Sequence, residues 1–274
     1  MNTTSKLFFI SCLCAGTILS AAPASAQNYN PARPAIVYSG ADERDGDWEV
    51  TLGAGAMVTP EYEGGEDYEI VPVPYIDVNY RDRVTFNPFD GARVNILKSD
   101  HLVAGAGLGF DFGRDEDDAD RLEGLGDIDA TIEGQLFARY NWRAFNAELA
   151  LSQDLGDGHE GYLVEAELGY GIPLPQYSTF TRLSVTTSYA GDDYMESFFG
   201  VNNAQSARSG LSEFDAEAGF KDVSLNSFTS YRFTENWSLN GLLQYKQLLG
   251  DAADSPVVEE EGQLTGGAFV TYRF

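Results

Sequence analysis

The sequence predicts an all-β fold: a closed, antiparallel, up-and-down transmembrane β-barrel of about 12 strands, filling residues 47–274. Three observations carry this reading. Apolar residues alternate with polar residues or glycine in segments of about ten from Asp47 to the C-terminus, the period of a strand with two unlike faces. An export signal opens the chain, and no later stretch approaches the roughly 20 apolar residues of a membrane-spanning helix. A bilayer then forces closure, because a free sheet edge in hydrocarbon leaves backbone groups unpaired at several kcal/mol each. A secreted β-sandwich, whose strands also alternate, is the competing fold.

Residues 1–26 join Lys6 to an apolar run from Leu7 to Leu19 and end on Ala24 and Ala26, the pattern of a signal peptide cut after Ala26. Cys12 and Cys14 lie inside it in poor lipoprotein contexts, so the exported chain is expected to be unlipidated and free of disulfides. Residues 27–46 are polar and proline-bearing and are expected to form a periplasmic N-terminal arm. From there alternation places strands at 47–57, 68–80, 83–88, 91–97, 101–112, 127–141, 143–152, 161–172, 178–190, 216–233, 237–248 and 264–274. Helix signals are nearly absent, and Ile128 falls on the apolar face of the sixth strand. The third and fourth strands are short and meet at Asp90-Gly91, a hairpin-turn signal; ten or fourteen strands result from reading such weak segments differently. A phase shift near Lys221 and Asp222 predicts a bulge. Pro72 and Pro74 stand two apart, so both missing N–H groups aim at one neighbour, and a bulged or gapped seam is expected beside that strand.

This parse sorts the connections into short turns on one side and long loops on the other, as expected of periplasmic and outer connections with both termini periplasmic. The long loops hold more than half of the 43 acidic residues, with only Arg114, Arg121 and Arg208 as bases. A formal charge of −26 repels nucleic acid and anionic lipid and favours cations. Trp48, Trp142 and Trp237, with Tyr272 and Phe274, fall at the turn ends of their strands on the apolar face, where aromatic rings mark a membrane interface. The localisation implied is the outer membrane of a Gram-negative cell, with membrane lipid and lipopolysaccharide as surroundings.

Little supports catalysis, and the chain reads as a non-enzyme without a cofactor. His159, near Asp154, Asp157 and Glu160, is taken as a loop residue between turn glycines rather than a base, and His101 as an interfacial polar residue. Asp115, Asp117 and Asp118 offer hard oxygen ligands for loose Ca²⁺ or Mg²⁺ binding, but the run lacks EF-hand spacing and its plain reading is a solvated acidic loop. Inside a barrel of roughly 12 Å radius, glycines at 53, 55, 105, 107, 109, 169 and 171 leave space, while Glu49, Asp111, Glu133, Arg139, Glu148, Glu165, Glu167, Arg182, Arg232 and Lys246 fill it with ion pairs. Both a narrow wet channel and a plugged interior fit.

The segments PEYEG (60–64), PVPYIDV (72–78), LEGLGDIDATIEG (122–134), GHEGY (158–162), FFGV (198–201), ARSGL (207–211), LLGDAADSPVV (248–258) and the closing YRF follow one another in this order. Together they make the chain resemble the MltA-interacting protein and OmpV family of outer-membrane proteins. The resemblance implies an outer-membrane barrel whose terminal aromatic, Phe274, is read by the barrel assembly machinery. It further implies a scaffolding role that brings a murein hydrolase and a murein synthase together. The residues themselves leave a cation-favouring channel and a surface adhesin built on loops 191–215 and 249–263 as alternatives.

Overall fold

The computed structural model describes residues 47–274; the expected signal peptide, both cysteines and the expected arm at 27–46 lie outside the described residues. Twelve strands close into one barrel in simple up-and-down order. They are β1 Trp48–Pro60, β2 Tyr68–Tyr80, β3 Val84–Asn87, β4 Gly91–Lys98, β5 Leu102–Asp111, β6 Thr131–Trp142, β7 Phe145–Asp154, β8 Tyr162–Leu174, β9 Thr179–Ala190, β10 Gly219–Arg232, β11 Trp237–Leu248 and β12 Gly262–Arg273. The last strand closes the cylinder on the first, from Thr51↔Arg273 to Val58↔Gly266, and the Phe274 N–H donates to the Val50 carbonyl at 3.0 Å.

Alternation turns into two faces. On β12, Leu264, Ala268 and Val270 are exposed and face outward, whereas Gln263, Thr265, Phe269 and Thr271 are buried in the lumen. On β11, Leu239, Leu243 and Tyr245 face out over inward Ser238, Asn240, Gln244 and Lys246. Large apolar side chains exposed all round the cylinder are what a lipid solvent favours; water would drive so extended an apolar surface to associate. The turns at one end are tight: Arg81 and Asp82 (φ 51° and 50°) and Arg143 (φ 57°) take the left-handed conformation that reverses a hairpin in few residues.

The expected bulge sits where the β9–β10 register shifts between Phe220 and Asp222, and a second lies in β4 between Asn95 and Leu97. Beside the prolines, the two edges of β2 differ. It pairs with β1 along its whole length, from Trp48↔Tyr80 to Pro60↔Tyr68, but with β3 only through Val78, Asn79 and Tyr80.

Two expectations need correction. β6 begins at Thr131, not residue 127; Ile128 instead forms an isolated bridge with Arg114 and is buried, so it faces protein rather than lipid. The reason is that the chain between β5 and β6 leaves the barrel wall to join a cap. The long loops also contain helices: α1 Asp192–Phe199, α2 Asn203–Ser209 and the single turn α3 Gly250–Asp254. In α1, Tyr194, Met195, Phe198 and Phe199 recur at helical spacing and are all buried, with Asp192 and Asp193 at the positive end of the helix dipole. Asn202 caps α2 by accepting from the Ala204 and Gln205 amides, and the Gln205 side chain accepts from the Asn202 N–H in return.

Candidate functional site: a capped lumen with a buried Asp–Glu–His cluster

The loops at the open end fold over one another. Tyr194, Met195, Phe198 and Phe199 pack on Leu163, Leu248 and Ala252, while Tyr62, Leu122, Leu125, Val201 and Val257 form a second apolar cluster. Polar contacts tie loops from different parts of the wall together. Arg114 Nη1 donates to the Phe198 carbonyl at 2.8 Å, Ser255 Oγ to the Phe199 carbonyl at 2.6 Å and Gln205 Nε2 to the Leu125 carbonyl at 2.7 Å. The Tyr62 hydroxyl lies 3.0 Å from both the Val257 carbonyl and Glu259 Oε2; burial and that carboxylate push it well above the usual phenol range. Burial lowers the Arg114 guanidinium to about 10.

Glu63 fastens the cap to the wall. From the loop between β1 and β2 its Oε1 accepts from Lys221 Nζ of β10 at 2.6 Å and Lys246 Nζ of β11 at 2.7 Å, and Lys221 also pairs with Asp222 at 2.7 Å. Burial pushes the Glu63 carboxyl up, and the two ammonium groups more than reverse this, holding it at about 2. The bulge explains the pair on β10: with one extra residue, Lys221 and Asp222 are both buried although they are consecutive.

Below the cap, Glu148 bridges Arg93, at 3.0 Å, and Arg139, and Arg182 pairs with Glu167. The interior glycines do not leave open space. A side chain at Gly105 would meet Phe137, at Gly107 Arg93, at Gly55 Phe269 and at Gly169 Arg182. Met57, Leu242 and Phe269 add an apolar cluster inside the lumen, against which Phe89 packs from the β3–β4 turn. Of the inward charges expected from the sequence, Arg139 pairs with Glu148, Arg182 with Glu167 and Lys246 with Glu63, and Glu49 pairs with Arg273 at 3.3 Å.

Asp111 and Glu133 lie on adjacent strands, both inward. The β5–β6 register pairs Asp111 with Thr131 and Gly109 with Glu133, so the two carboxylates are diagonal neighbours, with a glycine opposite one of them. His159 joins them from the β7–β8 connection, whose path Asp154 dictates. Asp154 Oδ2 accepts from the His159 and Glu160 amides at 2.9 and 2.8 Å, and Oδ1 from the Gly156 amide at 2.7 Å and the Thr131 hydroxyl at 2.5 Å. The imidazole stands against Tyr194 and Phe198, with ring centres 4.9 and 5.8 Å away, and only 1% of its side chain is exposed. Its Nδ1 accepts from the Gly161 amide at 3.1 Å, while Nε2 points to Glu133 Oε1 at 3.5 Å and has no hydrogen-bond partner. Burial disfavours a charged imidazole; Glu133, Asp111 and Asp154 outweigh it and raise the histidine above its ordinary value.

The acidic residues singled out in the sequence lie elsewhere. Asp118 Oδ2 accepts from the Asp115 amide at 3.0 Å in a local turn, and Asp117 is exposed. Among the described residues, the group of three ligand-type side chains that converges, with one donor atom from each within 4.8 Å of the others, is Asp111, Glu133 and His159. Trp48, Trp142, Trp237, Tyr272 and Phe274 gather at the turn end. Ring centres lie 4.6 Å apart for Trp48 and Tyr80, 6.2 Å for the stacked Trp142 and Phe145, and 5.0 and 4.8 Å for the edge-on pairs Trp237–Tyr272 and Tyr272–Phe274. His101, expected at the same end, lies beside Tyr140 at 6.0 Å.

A family model described as "MltA-interacting protein MipA" matches residues 52–274. Outer membrane protein Omp26La of Vibrio anguillarum is 23% identical over 282 aligned residues, 98% of each chain. The MltA-interacting protein of Escherichia coli K12 is 29% identical over 92 residues, 33% of this chain and 36% of that relative. Among solved structures, an anion-selective porin from Comamonas acidovorans overlaps 83% of this chain and 98% of its own at 8% identity, with a TM-score of 0.39. Pseudomonas putida OprB overlaps 84% of this chain and 70% of its own at 13% identity, with a TM-score of 0.37.

Proposed function

The chain belongs to the MltA-interacting protein MipA family, and from that premise we propose that it is a closed outer-membrane barrel with a structural role, docking murein-processing enzymes at its periplasmic end. The observation that supports this reading is the capped, ion-paired lumen. Loops from several strand connections meet in two apolar clusters, Glu63 locks them to Lys221 and Lys246, and Arg93, Glu148 and Arg139 link β4, β6 and β7 on the inner wall. A barrel built to pass solutes leaves a polar, wet interior; buried ion pairs and an apolar cluster use that volume for rigidity instead. With the termini periplasmic, the turn end faces the cell wall and presents charged, exposed side chains for docking, including Arg81 paired with Asp47 at 2.6 Å and Lys98 paired with Asp82 at 2.8 Å.

The test pairs two measurements on the processed protein. In planar bilayers it should give no conductance steps. Immobilised, it should retain a membrane-bound murein hydrolase from a solubilised envelope fraction of its own cell. Steady single-channel current without enzyme retention would replace the scaffold by a cation-favouring channel.

A further inference from the structure

The mouth of the lumen, beneath the cap, carries more buried acid than base. Glu63 and Asp222 are matched by Lys221 and Lys246, and Asp154 is satisfied by four donors. Asp111 and Glu133 remain. Asp111 accepts one backbone N–H, from Gly113 at 2.8 Å, and among the described residues neither carboxylate forms an ion pair with a lysine or arginine. Both face His159, whose Nε2 is buried without a hydrogen-bond partner. Adjacent buried carboxylates beside an unpartnered imidazole nitrogen form an arrangement that a bound cation stabilises, because buried charges are normally paired or coordinate metals.

We propose that Asp111, Glu133 and His159 bind one divalent transition-metal ion that ties the β7–β8 connection and the cap to the barrel wall. The donor set selects the class. Two carboxylate oxygens alone would suit Ca²⁺ or Mg²⁺, and the imidazole shifts preference towards ions such as Zn²⁺ or Mn²⁺. Ligand atoms about 2.0–2.2 Å from such an ion stand roughly 3.3 Å from one another. The three donors lie within 4.8 Å, and the His159–Glu133 separation is 3.5 Å, so side-chain rotation closes the site without moving a strand. One adjustment is required. Nδ1 accepts from the Gly161 amide, which leaves the proton of the neutral ring on Nε2. The ion takes the place of that proton, the ring carries its proton on Nδ1 instead, and the turn at 159–161, strained by Glu160 at φ 53°, swings the Gly161 N–H away.

Zn²⁺ titration of the processed full-length protein in detergent, followed by calorimetry, tests the assignment. One ion per chain is expected. Asp111→Asn, Glu133→Gln and His159→Gln should each weaken binding at least ~10-fold, since loss of even an outer-shell partner costs about that much. The triple variant Asp115→Asn/Asp117→Asn/Asp118→Asn should bind as the parent does. Absence of a saturable single site, or its loss in the triple variant alone, overturns the proposal. X-ray absorption at the zinc edge of the unsubstituted protein keeps the test open if a variant misfolds: an imidazole nitrogen in an otherwise oxygen shell is expected, and an all-oxygen shell refutes it.

Discussion

Glu63 reaches from a surface loop into the barrel and ends between two lysines from neighbouring strands. Removing its charge leaves Lys221 with Asp222 as its remaining ion-pair partner and takes away the ion pair of Lys246, and losing one member of such a buried network typically costs about 3–5 kcal/mol. Glu63→Gln should therefore lower the urea midpoint of the reconstituted barrel. The pH dependence has a definite sign. The folded carboxyl titrates near 2, below its ordinary 4.5, so its contribution is present above pH 4.5 and is lost as pH falls towards 2. The parent should weaken over that window and Glu63→Gln should weaken less; equal acid profiles would show that the carboxylate is not the latch. The role of Glu63 was hidden in the sequence, where it is one acid among several in a loop, and its partners lie 158 and 183 residues away. His159 was visible as an isolated histidine among turn glycines. Its partners were not, because the convergence with Asp111 and Glu133 depends on the β5–β6 register and on how Asp154 folds the following loop.

At the scale of elements, β2 shows what two prolines do at a gap. The Arg81 N–H donates to the Asp47 carbonyl, which continues the β1–β2 register by one pair and fixes its parity. Odd residues of β2 exchange hydrogen bonds with β1, and even residues aim their backbone groups at the opposite edge. That edge has no strand partner before Val78, so Pro72 and Pro74 remove two donors that would otherwise point into the gap. Pro72→Ala/Pro74→Ala should destabilise the barrel by about 1–3 kcal/mol per unpaired donor, although alanine is the better ladder residue; urea unfolding in vesicles that shows a gain would contradict this. The cap gives a second test. Phe198 is buried against Tyr194 and His159, so Phe198→Ala should cost about 3–5 kcal/mol of cap stability. Proteolysis within 191–218 should speed up while the strands keep their folded migration on gels. Strands were legible because period two persists through nearly every one of them. The helices were less so: α1 is only 8 residues long, and its Tyr194, Met195, Phe198 and Phe199 pattern is short enough to pass for a loop with scattered aromatics. The Asn202–Gln205 capping box that starts α2 emerges only in the structure, because Asn and Gln three residues apart are equally at home in a polar loop.

For the molecule as a whole, the solvent decides the stability of the outer face. Leu168 sits at the middle of β8 and is 68% exposed, pointing away from the lumen. In water, replacing so exposed a leucine by arginine would change folding little, because surface substitutions away from specific contacts usually stay within about 0.5 kcal/mol. In a bilayer the same position lies near the midplane, where an outward arginine costs about 2–4 kcal/mol. The aromatic end of the strands, with Trp48, Trp142 and Trp237, is where the sequence predicts the headgroups, and at that level the cost should fall to about 0–1 kcal/mol. Leu168→Arg and Tyr170→Arg therefore form a graded pair on one strand, the second two residues nearer the turn end and 43% exposed. Urea unfolding in phosphatidylcholine vesicles should show the larger loss at Leu168 and a smaller one at Tyr170. Equal, negligible losses at both sites would mean that the outward apolar face does not meet hydrocarbon.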